Sequence, residues 1–282
     1  MAGKQVTELD TLPSFTDTSL LPVHNGAGLK KGSLTQLADY LGNKFSNPNL
    51  LINPDFKINQ RRASNYEKQG YSVDRWKIWN VTVTPNENGG ITVTNDKYTD
   101  TGTFIQTLEN ATEGDSTLSC YVESVSGTVT MVADDDSQVI LKQGLNVVHT
   151  SNSTKVFTIF LNRGTSITLK WVKLEQGKVA TEFIAPNPAE ELIKCCRFYQ
   201  RLQVMYTTYG VADQHYYHKL PLITALRINP TVNIEDQYNF NVKTKKIEWR
   251  SDGTGWLNLD VVAQSDAQTV CQLICSCDAE IY

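Results

Sequence analysis

Between residues 49 and 183, apolar side chains recur at every second position in short runs. Leu118, Cys120 and Val122 alternate with polar residues, as do Val129, Met131 and Ala133. Phe157, Ile159 and Leu161 follow, then Ile167, Leu169 and Trp171. A period of two puts alternate side chains on one side of an extended chain, so each run has a single face to bury. Clusters of Gly, Asn, Asp and Ser separate the runs at intervals of about 8 to 12 residues, the spacing of an all-β sandwich. At Trp171-Val172-Lys173-Leu174 the apolar parity switches, which predicts a bulge or a strand covered on two surfaces.

Around this region the chain changes character. Residues 1–18 are polar and lack periodicity, so they are expected to be disordered or ordered by a partner. Leu20 to Lys31 reads as a small hairpin around Asn25-Gly26. Ser33 and Gln36 form a capping box for a short helix whose apolar face is Leu34, Leu37, Ala38 and Leu41, ending at Gly42. Asn187, Pro188 and Glu190 open a second helix, with Leu192, Cys195, Cys196, Tyr199 and Leu202 on one stripe. Strand patterning then resumes to Tyr282, with turn signals at Asn229-Pro230 and over residues 251–255. The expected fold is mostly β. An N-terminal segment with hairpin and short helix (1–48) precedes a β sandwich (49–186), a linking helix (187–204) and a second, smaller C-terminal β sandwich (205–282).

Composition sets further bounds. The 26 Lys and Arg against 30 Asp and Glu give a net charge of -4, which offers no basic face for nucleic acid. No apolar run approaches the roughly 18 residues that cross a bilayer, so no membrane insertion is expected. The opening residues carry no apolar stretch of signal-peptide type, which points to a soluble chain made in a cytoplasm. The six cysteines do not form the spaced pairs of a disulfide framework. Cys271, Cys275 and Cys277 share parity with Leu273, which places all four on one strand face. Cys-x3-Cys-x-Cys lacks a fourth ligand nearby, so these thiols read as small buried hydrophobes. Asp134-Asp135-Asp136 suits either calcium or a solvated hairpin tip, and the tip is the reading adopted. No metal and no cofactor are expected.

Several short motifs occur in a defined order. Asn49-Leu50-Leu51-Ile52-Asn53-Pro54-Asp55-Phe56 is followed by Gln60-Arg61 and by Tyr71 with Asp74-Arg75-Trp76. Lys173-Leu174-Glu175, Gly177 and Ala180-Thr181-Glu182-Phe183 close the region, and a helix from Glu190 to Tyr199 comes directly after. Together they resemble the carbohydrate-binding-module-like jelly roll of bacteriophage tail fibres and related virion proteins. Leu220-Pro221, Leu226-Arg227 and Asn229-Pro230-Thr231-Val232 resemble the β domain that often follows, and Leu20 to Leu41 resembles the attachment region of such fibres. One departure is Arg62, where a Gly usually follows the Gln-Arg pair, and it implies a different local turn.

The resemblance implies a non-enzymatic virion protein, assembled in a bacterial host cytoplasm as a homotrimer. Residues 1–42 would join it to other virion proteins, and the β domains would adhere to a host cell-surface glycan. An inert head-fibre, collar or baseplate component is the alternative. A polysaccharide-degrading enzyme would need two carboxylates about 5 to 9 Å apart across a cleft, and no motif singles out such a pair.

Sugars are held by exposed aromatic faces with polar groups around them. Two stretches fit. One contains Tyr206, Tyr209, His215, Tyr216 and Tyr217; the other contains Trp79 with Tyr98. The competing reading is that the tyrosines are half-buried strand residues and that Trp76 packs beneath the sandwich.

Overall fold

The computed structural model describes residues 19–24, 28–37, 46–250 and 255–282. The expectations for residues 1–18, for the Asn25-Gly26 turn, for Ala38, Leu41 and Gly42, and for residues 251–254 lie outside the described residues. The chain is mostly β, and contacts divide it into two compact units, residues 1–47 with 179–184 and residues 48–178 with 185–282.

In the first unit, β1 (Leu20–His24) pairs antiparallel with β2 (Leu29–Ser33). The capping box forms reciprocally. Ser33 N–H donates to Gln36 Oε1 (2.9 Å) and Gln36 N–H donates to Ser33 Oγ (3.1 Å), which opens a helical turn over residues 34–37. Within the same unit, Ser46 Oγ donates to the Glu182 carbonyl (2.7 Å).

The second unit begins with a sandwich of eleven strands. In chain order they are β3 (Gly70–Tyr71), β4 (Lys77–Trp79), β5 (Thr82–Pro85), β6 (Ile91–Asn95), β7 (Gly102–Thr107) and β8 (Ser116–Ser126). Then come β9 (Val129–Val132), β10 (Gln138–Ile140), β11 (Gly144–Thr150), β12 (Val156–Leu161) and β13 (Thr165–Gln176). One sheet runs β10-β9-β12-β7-β4-β3 and the other β11-β8-β13-β6-β5. Their apolar alternates meet in one core centred on Trp76. The Trp76 ring stacks on Phe104 at 4.7 Å, with Phe56 at 5.2 Å and Phe157 edge-on at 5.7 Å. Each such side chain contributes on the order of 3 kcal/mol by leaving water.

The parity switch of β13 is a bulge, with register shifts on either side of Leu169. Beyond it Val172, Lys173, Leu174 and Glu175 are all buried, and Lys173 pairs with Glu175 at 3.2 Å. Residues 49–54 lie along this stretch. Leu50 N–H donates to the Leu174 carbonyl (2.8 Å), Val172 N–H to the Pro54 carbonyl (2.9 Å), and Asn49 Nδ2 to the Val172 carbonyl (2.9 Å). The first and last motifs of the sandwich are thus neighbours, because each satisfies the other's backbone.

Helix α1 (Pro188–Cys196) starts as expected, with Asn187 accepting from Ala189 N–H (2.9 Å). It does not reach residue 204. The chain leaves the helix at Arg197, and Tyr199 already begins β14 (Tyr199–Gly210). Leu202 fits a helical stripe, but with Val204 and Tyr206 it equally fits a strand of period two, and all three pack on the C-terminal core. Continuous pairing of β14 with the last strand, β19 (Ala267–Asp278), decides between the two periods.

The remaining strands are β15 (His215–Leu220), β16 (Thr231–Phe240), β17 (Val242–Arg250) and β18 (Trp256–Ala263). They form two three-stranded sheets, β14-β19-β16 and β15-β18-β17. Cys271, Leu273, Cys275 and Cys277 all face the space between them, fully buried.

Candidate functional site

The motifs that carry the resemblance turn out to build a joint. Gln60 N–H and Nε2 donate to the two Asp74 carboxylate oxygens, each at 2.7 Å, and Nε2 also donates to the Tyr199 carbonyl (2.7 Å). Arg75 is 1% exposed, pairs with Glu280, donates to the Thr107 carbonyl (2.7 Å), and lies 3.6 Å above the Phe198 ring. Arg61 reaches the same Glu280 at 3.4 Å while its guanidinium covers the Tyr199 ring at 3.9 Å. Burial pushes the Asp74 carboxyl up to about 6, against the pull of Arg61 and the Gln60 hydrogen bonds. Gln60, Arg61, Asp74 and Arg75 therefore hold the sandwich to the C-terminal sheets. Arg62 takes φ of 58°, the left-handed backbone that glycine favours, so the departure from the motif leaves a glycine-like turn in place. The Asn59 side chain fixes it by accepting from Arg62 N–H (3.1 Å).

Asp134 and Asp135 are occupied mainly by the neighbouring strands β11 and β12. Asp134 accepts from Lys155 and Val156 N–H, and Asp135 from Ser137 N–H and Thr150 Oγ1. Among the described residues no group of three or more His, Cys, Asp or Glu is placed to hold a metal ion.

The aromatic stretch after the helix is divided between faces. Tyr206 pairs with buried Cys271 and turns inward, its ring 5.4 Å from that of His218. Tyr209 is 72% exposed on the outer side of the β14-β19-β16 sheet, its hydroxyl donating to the Asp266 carbonyl (3.2 Å). Tyr216 pairs with buried Val261, and its hydroxyl accepts from Val211 N–H (2.8 Å). Only His215 and Tyr217 share an outer face, that of the β15-β18-β17 sheet. In the sandwich, Trp79 is 46% exposed at the end of β4, and the Tyr98 hydroxyl donates to the Glu67 carbonyl (2.7 Å).

The outer face holding His215 and Tyr217 has an order set by register. Tyr217, Asp260 and Lys246 form one cross-strand row; Lys219, Asn258 and Glu248 form the next. His215 Nδ1 lies 3.0 Å from Asp260, and the His215 ring stacks near Tyr217 at 6.0 Å. Lys219 sits 4.8 Å over the Trp256 ring. Tyr217 stays 65% exposed among these groups. Asp260, Lys246, Asn258 and Trp256 were not among the residues singled out from sequence. They lie some 30 to 45 residues from Tyr217, and only strand pairing brings them together.

No protein-family model matches the chain, and no curated protein matches it. Two solved structures of discoidin II from Dictyostelium discoideum, one recombinant and one wild-type, each align with 68% of this chain and with 81% and 80% of their own. Identity is 9% and 10% and the TM-scores are 0.21 and 0.20, a level that carries no argument about fold or ligand.

Proposed function

We propose that this chain is a non-catalytic bacteriophage virion appendage that adheres to a glycan on the host cell surface. The virion context rests on the ordered motifs from Asn49 to Tyr199. The adhesive role rests on one observation, the open Tyr217 ring beside the His215–Asp260 pair and Lys246. Such a ring stacks on the apolar face of a pyranose while neighbouring carboxylate, imidazole and ammonium groups bond its hydroxyls. In this reading the chain works as a homotrimer, attached to other virion proteins through residues 1–42. Three linked weak sites gain avidity without new contacts.

A second reading, an inert head-fibre, collar or baseplate component, is favoured by the fact that Gln60, Arg61, Asp74 and Arg75 hold the sandwich to the C-terminal sheets. A glycan array probed with the full chain and with Tyr217→Ala separates the two. Adhesion predicts binding that falls at least about tenfold in the variant, the loss of one stacking contact. Binding to no glycan, or binding indifferent to Tyr217, would favour the inert component.

A further inference from the structure

Where the sandwich meets the β14-β19-β16 sheet there is a cleft of about 250 Å3, lined by Arg61, Tyr199, Arg201, Asn233, Glu235 and Ser276 with two isoleucines. Register explains its floor. Arg201, Ser276 and Asn233 stand in one cross-strand row on the outer face, and Gln203, Ile274 and Glu235 stand in the next. Arg61 arrives from the sandwich to form the wall. Its Nη2 is held by Glu280 and Asp278, at 3.4 and 3.7 Å, whereas its Nη1, closed off from solvent, has no hydrogen-bond partner among the described residues. Arg201 is 22% exposed, and among the described residues its ion pair is with Glu235, 3.8 Å away and 67% exposed. Two guanidiniums thus line one polar cleft, and the carboxylate facing Arg201, which also accepts from Gln237 Nε2 at 3.2 Å, is mostly exposed.

We propose that this cleft is an anion site that takes a carboxylate or phosphate group borne on a saccharide. Guanidinium matches the planar, multiply accepting shape of either group. The Asn233 amide and the Ser276 hydroxyl supply neutral donors beside the charges. Glu235 marks the chemistry, since its carboxylate rests where a ligand oxyanion meets Arg201. Two rows along the same face, Tyr238 (53% exposed) and Met205 flank Gln272 and offer a surface for the sugar ring that carries the charge. The inference deepens the glycan reading by naming an acidic saccharide, but its anion chemistry stands apart from the Tyr217 face.

Titration calorimetry of the full chain with trigalacturonic acid, its methyl ester and inorganic phosphate tests it. The acid is expected to bind at least about tenfold more tightly than the ester, in a manner weakened by salt. Arg201→Gln is expected to abolish that preference and Glu235→Gln to strengthen acid binding several-fold. Arg61→Gln, checked for folding by thermal unfolding, should act in the same direction as Arg201→Gln. Stronger binding of phosphate assigns the site to phosphorylated saccharides, and stronger binding of the acid assigns it to uronates. Binding of neither probe, or acid binding indifferent to Arg201→Gln, overturns the proposal. Loss of neutral-glycan binding in Tyr217→Ala with an intact anion response would break the other site alone.

Discussion

The sandwich and the C-terminal sheets bury their apolar residues to different degrees. In the sandwich, Trp76, Phe104, Phe157 and the inward Leu118, Cys120, Val122, Val129, Met131, Ile159 and Leu161 are closed off from water. In the C-terminal region, Met205, Tyr209, Tyr238 and Phe240 are each at least 50% exposed, and β16 is open to solvent along almost its whole length. Large exposed apolar groups on a sheet face are where partners and ligands are met. The contrast teaches that the recognisable motifs belong to the part with the closed core, while the open sheet face of β16 lies on the part with the weaker sequence signature.

The sharpest way to break that contrast is a core truncation. Trp76→Ala removes the ring on which Phe56, Phe104 and Phe157 pack, and urea unfolding is expected to show a loss of about 3–5 kcal/mol. A loss below 1 kcal/mol would mean that the sandwich core is not the rigid part.

A middle-sized effect comes from the joint. The Asp74 carboxyl titrates near 6 when folded, against about 3.9 when unfolded. Between those values the native state holds a proton that the unfolded chain has lost. Its contribution is therefore most favourable below about pH 4, declines as pH rises to about 6, and is flat above, a change on the order of 3 kcal/mol. Unfolding free energies measured from pH 4 to 7 should fall accordingly, and the slope should flatten in Asp74→Asn. A rise with pH that the variant abolishes would reverse the assignment.

The smallest effect sharpens the comparison from the other side. Phe240→Ser, on the open face of β16, should change stability by no more than about 0.5 kcal/mol, as surface substitutions do. A loss several times larger in thermal unfolding would show that something covers that face in solution.

Much of the sandwich was legible beforehand. The alternates at 118–122, 129–133, 157–161 and 167–169 are core residues, the parity switch in β13 is a bulge, and Asn187 caps its helix. These features depend on neighbours within a few residues, and local chemistry writes them into the chain. The end of that helix was not legible, since Leu202 satisfies both periods and its pairing partner Cys275 lies far along the chain. The aromatic stretch misled in a similar way. Its density suggested one site, but neighbours in a strand point to opposite faces, so Tyr216 and Tyr217 part company.

By itself the sequence determined the strand-rich class, the positions of turns and caps, and which side of each strand is apolar, because these follow from spacing alone. Only the tertiary structure decided that Gln60 meets Asp74 and Tyr199, that Arg61 and Arg75 meet Glu280, that Tyr217 stands beside Asp260, and that Arg61, Arg201 and Asn233 line one cleft. Those neighbours are set by strand register and by the packing of one region on another. Both are summed over many long-range contacts, and no single stretch of sequence carries them.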